Sequence, residues 1–555
     1  MNRTERLSSR SCEASPGTIG TRLTAVAEVV LLVLLFFAYR GDPPPGINEA
    51  HYLALAKNFW DPSWCVQDLF VTSDKTHLLF HATCGSLTQV LTLPAAAWAG
   101  RLIGWTLLAV ALRGLCRQVF DRPYACLGVA MIWIIGLEFF HLAGEWVIGG
   151  IEAKVPAYGF VLAGMSRIAR GDWPRVWPLL GLASAFHVLV GGWTVVAAGF
   201  AYWIVGRGES PLKAQLPWLV LGGLISLVGV WPALQASAGV APADRLQAAK
   251  VYTYWRISHH LLPSAFPTVA YFRHIGLIAV TIAVAWPCRR EPRFRGVFWL
   301  MIGCLAITAC GLLVGLLPRF APDQAANWLR FYWFRAGDAM VPLTLGLAVL
   351  ARQAKAVGCP PGGTLPGQAD AGGRFIGLAA GDRVFPLVAA IALSVFLSQE
   401  KFLPPAVRGF PELPQSPSVG RSARDVQRDW LDVCEWVRQA LPPDEVLITP
   451  RHQQTFKWYA QRSEVVNWKD VPQDADSMLA WQRRFFDIFP QRLGTMRATI
   501  RYADLRRFGD EYGARFMLVD RRIVGPSLPL VQVYPPPASG APGTLTTYAV
   551  YRLPR

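Results

Sequence analysis

PPPGINEAHYLALAKNFWDPSWCVQDLF, residues 43–70, follows directly on the first long apolar run of the chain. It holds three consecutive prolines, a carboxylate at Glu49, a histidine at His51 and several aromatic residues. Its surroundings decide how it is read. The chain has 555 residues, 53% of them hydrophobic and 16% charged, whereas charge in a soluble domain runs near a quarter. Windows of roughly 17–22 residues lack fixed charge and are long enough for a hydrocarbon core about 30 Å thick. The composition therefore reads as a polytopic α-helical membrane protein. Its 22 Trp and 15 Tyr suit interfacial belts. The net charge of +17 reads as loop Arg and Lys that orient the helices, and no motif points to nucleic acid.

Threading starts with Arg3, Arg6, Arg10 and Arg22 on the cytoplasmic side of a first span over 24–39, read as uncleaved. The quoted stretch is then outside. If 76–94 and 95–116 both crossed, Arg113, Arg117 and Arg122 would fall outside, so 76–94 is expected to lie along the outer interface. Spans follow at 123–140 and 154–169. Two short helices bent near His187 fill 176–206. Further spans run over 215–234, 273–288, 297–317, 337–351 and 384–398, about eleven in all. Between them lie a long outer loop (235–271) and a Gly/Pro-rich cytoplasmic loop (353–383).

The expected domains are a cytoplasmic tail (1–22), a transmembrane domain (23–399) with its outer loop and interfacial helices at 41–94, a linker (400–424) and an extracytoplasmic α/β domain (425–555). In the last, WLDVCEWVRQAL, RHQQTFKWYAQR and YADLRRFGDEYG read as helices, and EVLITP, ARFMLVD, LVQVYPP and LTTYAVYRL as strands. It has no Gly-rich phosphate loop. The ten cysteines show no CxxC spacing, which argues against a thiolate metal site; Cys65 and Cys84 share one compartment and are a candidate pair.

The outer segments gather the polar residues that need a reason. Asn48, Glu49 and His51 sit in the first, with Asp68 further on; Glu145, Glu152 and Lys154 in the second; Arg256, His259 and His260 in the long loop; Arg330, Arg335 and Asp338 before the tenth span. His187 lies at the outward bend. A carboxylate beside cations can deprotonate an acceptor while guanidinium forks hold a phosphate leaving group. Simpler roles stand beside these. Glu49 would also cap the helix that opens EAHYLALAKNF. Glu152 and Lys154 would pair with each other, and His187 would satisfy a kink. Arg330 and Arg335 would anchor at the interface, and His259–His260 would join Glu49 at a metal. A divalent metal is possible and not favoured.

The order of these features resembles the GT-C superfamily of membrane glycosyltransferases, which includes protein O-mannosyltransferases and aminoarabinose transferases. In that family an Asp-Glu pair commonly opens the first outer loop; here it is Asn48-Glu49, with Asn48 in place of the first acid. The next span begins AAAWAGRLIGW where the family has ARLPSAL-like residues, and the hairpin turns at GLASAFHVLVGG. The resemblance implies a bacterial inner-membrane enzyme that moves a sugar from a polyprenyl-phosphate-linked donor to a glycan, lipid or protein acceptor on the outer face. It implies Glu49 as the catalytic residue. The residue reading adds Arg330, Arg335, Lys154 and Arg256 as cations for the donor phosphate. Asn48, His51, Glu145, Glu152, His187, His259 and His260 would line the substrate cavity. A transporter or flippase of a lipid-linked or anionic substrate, or a non-catalytic scaffold, would use the same layout.

Overall fold

The computed structural model describes residues 16–46, 48–120, 122–236, 238–356, 422–489, 501–536 and 546–555. Six helices among them are long and apolar enough to cross a membrane: Thr21–Arg40, Leu93–Val119, Val188–Gly206, Leu212–Gln235, Thr268–Cys288 and Pro292–Arg319. The other expected spans are helical but shorter or more polar. Ala125–Phe139 has 15 residues, a rise of about 22 Å. Lys154–Arg170 and Arg335–Ala356 begin or end on charged groups, Trp173–Phe186 has only 14 residues, and all three bury residues in the bundle. A count of eleven therefore does not follow from length and apolarity. The expected span at 384–398, most of the 353–383 loop, the linker up to residue 421 and the first 15 residues lie outside the described residues.

The 76–94 stretch forms no spanning helix. Leu78–Ala82, Cys84–Ser86 and Leu87–Val90 are separate short pieces before the long helix starts at Leu93. The bend at His187 is present. His187 is extended (φ −147°, ψ 101°) between Trp173–Phe186 and Val188–Ala201, and its Nδ1 accepts the Val190 amide at 3.3 Å, so it caps the second helix.

Contacts sort the loops to two ends of the bundle. At one end the Glu28 carboxylate, buried in the first helix, accepts from Arg113 (2.7 Å), Arg117 (2.9 Å) and the Tyr124 amide (2.7 Å). The Arg167–Asp172–Arg175 and Arg295–Glu209 contacts belong to turns of the same parity. At the other end Arg40 pairs with Glu138 at 2.6 Å, and Asp338 accepts the Leu142 and Ala143 amides at 2.6 and 2.9 Å. Glu49, Glu145, Glu152, His187, His260 and Arg335 all lie toward this second end.

The C-terminal part is a five-stranded sheet in the order β2-β1-β3-β5-β4: β1 Val446–Ile448, β2 Ser463–Glu464, β3 Ala514–Asp520, β4 Val531–Tyr534 and β5 Tyr548–Arg552. β1 runs parallel to β2 and β3, whereas β5 is antiparallel to β3 and β4. Side chains alternate between the two faces of a strand. Leu518, Tyr548 and Val550 accordingly join Val433, Val437 and Phe456 on one face, while Met517, Val519, Ala549 and Tyr551 join Trp481, Phe485 and Phe508 on the other. The helix Ala423–Ala440 starts at a reciprocal Ser422–Asp425 capping box. The sequence reading lacked the helix Ala475–Ile488 and the two-residue β2.

This domain is joined to the bundle through its core. Ala248 and Val251 of the long loop belong to the same apolar cluster as Val446 and Trp481. The Trp255 ring lies 5.0 Å from that of Trp468 and 4.7 Å from Phe486.

Candidate functional site

Glu49 opens the helix Glu49–Trp60 and is wholly buried. A carboxylate has about four lone-pair positions, and all four are filled. Oε1 accepts from Arg101 Nε (2.6 Å) and the Ile151 amide (2.9 Å), and Oε2 from Arg101 Nη2 (2.5 Å) and the Gly46 amide (2.6 Å). Arg101 also donates to the Asp42 carbonyl and stacks over Trp98 at 4.8 Å. The fit requires a glycine next to it, because a Cβ on Gly150 would lie 2.4 Å from Glu49 Cγ. Glu49 thus binds three segments together: the proline turn, the second long helix and the loop before Lys154. Arg101, the one charged residue in the stretch Leu93–Leu112 of that helix, was the sequence signal for such a partner.

Glu145, Glu152, Lys154 and Arg335 are arranged differently. Lys154 Nζ lies 3.8 Å from Glu145 and 3.7 Å from Glu152, and Arg335 Nε lies 3.0 Å from Glu145 Oε2. Yet neither Glu145 oxygen nor Arg335 Nε makes an aligned hydrogen bond, although all three atoms are buried. Burial pushes the Glu145 carboxyl up, against the pull of Lys154 and Arg335. Glu152 receives only the Asn48 amide, at 3.2 and 3.3 Å. Two acids and two bases therefore face one another with hydrogen-bonding capacity left over. Arg335 also borders a narrow cleft, with room of about 10 Å³, walled by Tyr158, Leu189, Trp193, Tyr332 and Met340. Its guanidinium stands 3.6 Å from the centre of the Tyr332 ring.

The remaining sequence candidates divide. His260 Nδ1 donates to the Ala143 carbonyl, which can only accept, at 2.5 Å. Burial, then the charge of Arg335, hold its pKa down to about 3, so its imidazole is neutral at pH 7. His259 stacks on it at 4.1 Å. His187 stacks on His77 at 5.1 Å. His51 Nδ1 lies against the Asp470 carboxylate of the C-terminal domain. Arg256 is taken up by main-chain carbonyls of that domain, Trp468 at 2.7 Å and Lys469 at 3.3 Å. Arg330 sits half-buried over Phe331 and does not join the cluster. Among the described residues no set of three or more His, Cys, Asp or Glu side chains is placed to hold a metal ion. Cys65 and Cys84 are both free thiols.

The sequence reading did not find the acidic nest that docks the domain. Lys457 Nζ is buried among Asp68 (3.2 Å), Glu464 (2.6 Å) and Asp470 (2.5 Å). Asp68 Oδ2 also accepts the Glu464 amide at 3.1 Å, across 396 residues of sequence. Burial, followed by the charges of Asp470 and Asp68 once Lys457 is counted, raises Glu464 to about 7. Only Asp68 of this set stood out in the sequence, because the other members are far apart along the chain.

Fold and site together define a class: a multi-span helical protein with an acid–base cluster beside a cleft between its helices, covered at that end by a small α/β domain. Within that domain, residues 428–488 match a family described as a domain of unknown function, DUF6798. No curated protein matches the chain. Among solved structures, the chain is similar to ArnT from Cupriavidus metallidurans bound to undecaprenyl phosphate. That match has 14% identity and a TM-score of 0.44, and it covers 96% of this chain and 98% of that one. It is also similar to the oligosaccharyltransferase AglB from Archaeoglobus fulgidus in complex with an inhibitory peptide and a dolichol-phosphate (10% identity, TM-score 0.41, covering 91% of this chain and 70% of that one). A third is the Archaeoglobus fulgidus oligosaccharyltransferase with Zn and sulfate (11% identity, TM-score 0.40, 90% and 68%).

Proposed function

We propose that the chain transfers a sugar from a polyprenyl-phosphate-linked donor to an acceptor at the outer face of a bacterial inner membrane. The N-terminus would be cytoplasmic and the α/β domain extracytoplasmic. The observation that carries this reading is Arg335, a buried cation paired with Glu145 but without an aligned hydrogen bond on Nε, set among apolar side chains of neighbouring helices. A guanidinium fork matches phosphate oxygens, and the apolar side chains around it are of the kind an isoprenoid tail packs against. The topology supports the sidedness, because the opposite end carries Arg113, Arg117, Arg167, Arg170 and Arg295.

In this account Glu152 takes the proton of the acceptor hydroxyl. The acceptor oxygen bonds to the sugar carbon as that carbon's bond to the phosphate oxygen breaks. The phosphate leaves with the electron pair, toward Arg335 and Lys154. The sequence reading gave the base role to Glu49. We assign it to Glu152 because Glu49 has no lone pair left over, whereas Glu152 is held only by an amide and a lysine at ion-pair distance. Glu49 then acts through position, fixing the loop that carries Glu152.

Native mass spectrometry of the purified full chain tests the donor site. A polyprenyl phosphate, with or without a sugar, is expected on the wild-type protein and absent from Arg335→Gln. Ordinary phospholipids alone, equally on both, would remove the reading. Substrate movement across vesicles without a covalent product would favour the transporter.

A further inference from the structure

A second group of cations lies where the α/β domain meets the bundle, and the mechanism above does not use it. Arg256 from the long loop and Arg451 from the domain both lie against the Trp468 indole, with guanidinium carbons 4.9 and 5.4 Å from its centre. Arg451 also lies 5.0 Å from the Phe485 ring. Its Nε and Nη1 are buried and have no hydrogen-bond partner among the described residues. Lys469 follows Trp468 in the chain, and its backbone amide donates to the Asn467 side chain at 2.8 Å. Of the nearby acids, Asp470 is committed to His51 and Lys457 and Glu464 to Lys457, while the charge of Glu152 reaches Lys469. Burial lowers all three cations, Lys469 to about 8, with Arg256 adding to the effect on Lys469. Like charges held together and drawn out of water cost free energy unless an anion joins them.

We propose that Arg256, Arg451 and Lys469 form an oxyanion site for the acceptor, which therefore carries a phosphate-type group. The site is separate from the donor phosphate at Arg335. Its place in the fold explains its use. Asp470 touches His51, three residues after Asn48, and Asn48 donates to Glu152. An acceptor anchored by its anion at Trp468–Lys469 can present a hydroxyl toward Glu152. Arg451 offers its unbonded Nε and Nη1, and Arg256, whose Nε and Nη2 hold carbonyls, adds positive charge from the other part of the chain, so the site is complete only when the domain is docked. The inference rests on the transferase reading for the word acceptor alone.

The test is calorimetric titration of inorganic pyrophosphate into the full-length protein in detergent. In an Arg335→Gln background, which silences the donor site, pyrophosphate is still expected to bind, and adding Arg451→Gln or Lys469→Gln to weaken that binding at least tenfold. Lys469 is only half-buried, so Lys469→Gln reads the site even if Arg451→Gln lowers the melting temperature. No binding in that background, unchanged binding on adding Lys469→Gln, or displacement of pyrophosphate by undecaprenyl phosphate would each overturn the proposal. Pyrophosphate binding at this site in a protein that retains no polyprenyl phosphate would keep the anion site and remove the transferase reading. Retained lipid without pyrophosphate binding would do the reverse.

Discussion

Three glutamates at the same end of the bundle show what a buried carboxylate can be for. Glu49 accepts four hydrogen bonds, two of them from one arginine in a side-by-side pair. Glu145 and Glu152 face Lys154 and Arg335 at 3.0 to 3.8 Å, and Glu145 has no aligned bond at all. The first arrangement is complete and the second is open. A saturated carboxylate has to break bonds to a buried cation before it can take a proton. An open one has room for a substrate. Sequence position alone favoured Glu49; hydrogen-bond geometry separates the framework from the candidate chemistry.

Breaking the closed pair is expected to have the largest effect. Arg101→Met leaves Glu49 charged and buried, and removing one partner of such a pair costs about 3–5 kcal/mol. Thermal unfolding in detergent, followed by circular dichroism, reads this as a large fall in melting temperature. Glu152→Gln is expected to leave the melting temperature near wild type and to slow sugar transfer by about 10²–10⁴, the range for loss of a general base. Equal losses of stability in both variants would dissolve the contrast. Gly150→Ala sharpens it: the added Cβ would lie 2.4 Å from Glu49 Cγ, and overpacking of this kind costs about 1–3 kcal/mol. The same melting experiment checks it, and an unchanged midpoint would show that the Glu49 pocket can relax.

The smallest expected effect concerns the docking nest. Glu464 is raised to about 7 in the folded protein, from an ordinary value near 4.5. The folded state therefore holds the proton more tightly than the unfolded one. The stability this brings is full below about pH 4.5 and is lost as pH rises through about 7. Glu464→Gln mimics the protonated form. Its melting temperature is expected to match wild type near pH 5 and to exceed it by a few degrees at pH 8. His51 titrates in both proteins, so its contribution cancels in the difference. A constant difference across that range would contradict the shift.

Several features were legible in the chain itself. The apolar runs gave the helices, the positions of the arginines gave the two ends, and His187 in the middle of a 30-residue run gave the bend. The strands β3 and β5 followed from alternation. The helix Ala475–Ile488 was readable too: Asp474 caps it, and Met478, Trp481, Phe485 and Ile488 recur at helical spacing. Partnerships were not legible. Arg101 advertised a partner but not that it was Glu49, 52 residues away. Arg256 looked like a phosphate ligand, and its direct bonds go to carbonyls that enter only when the α/β domain docks. Span number was not legible for a related reason, since helices that face protein on most sides can be short or polar without meeting lipid.

The measurement closest to the central claim is native mass spectrometry of Glu49→Gln and Glu152→Gln side by side, with melting temperatures recorded on the same samples. The account predicts that Glu152→Gln melts like wild type and accumulates the sugar-loaded polyprenyl phosphate, because the donor binds and cannot react. It predicts that Glu49→Gln melts at a markedly lower temperature and shows no such accumulation. A stable Glu49→Gln protein loaded with donor, beside a Glu152→Gln protein that turns over like wild type, would contradict it and return the base to Glu49.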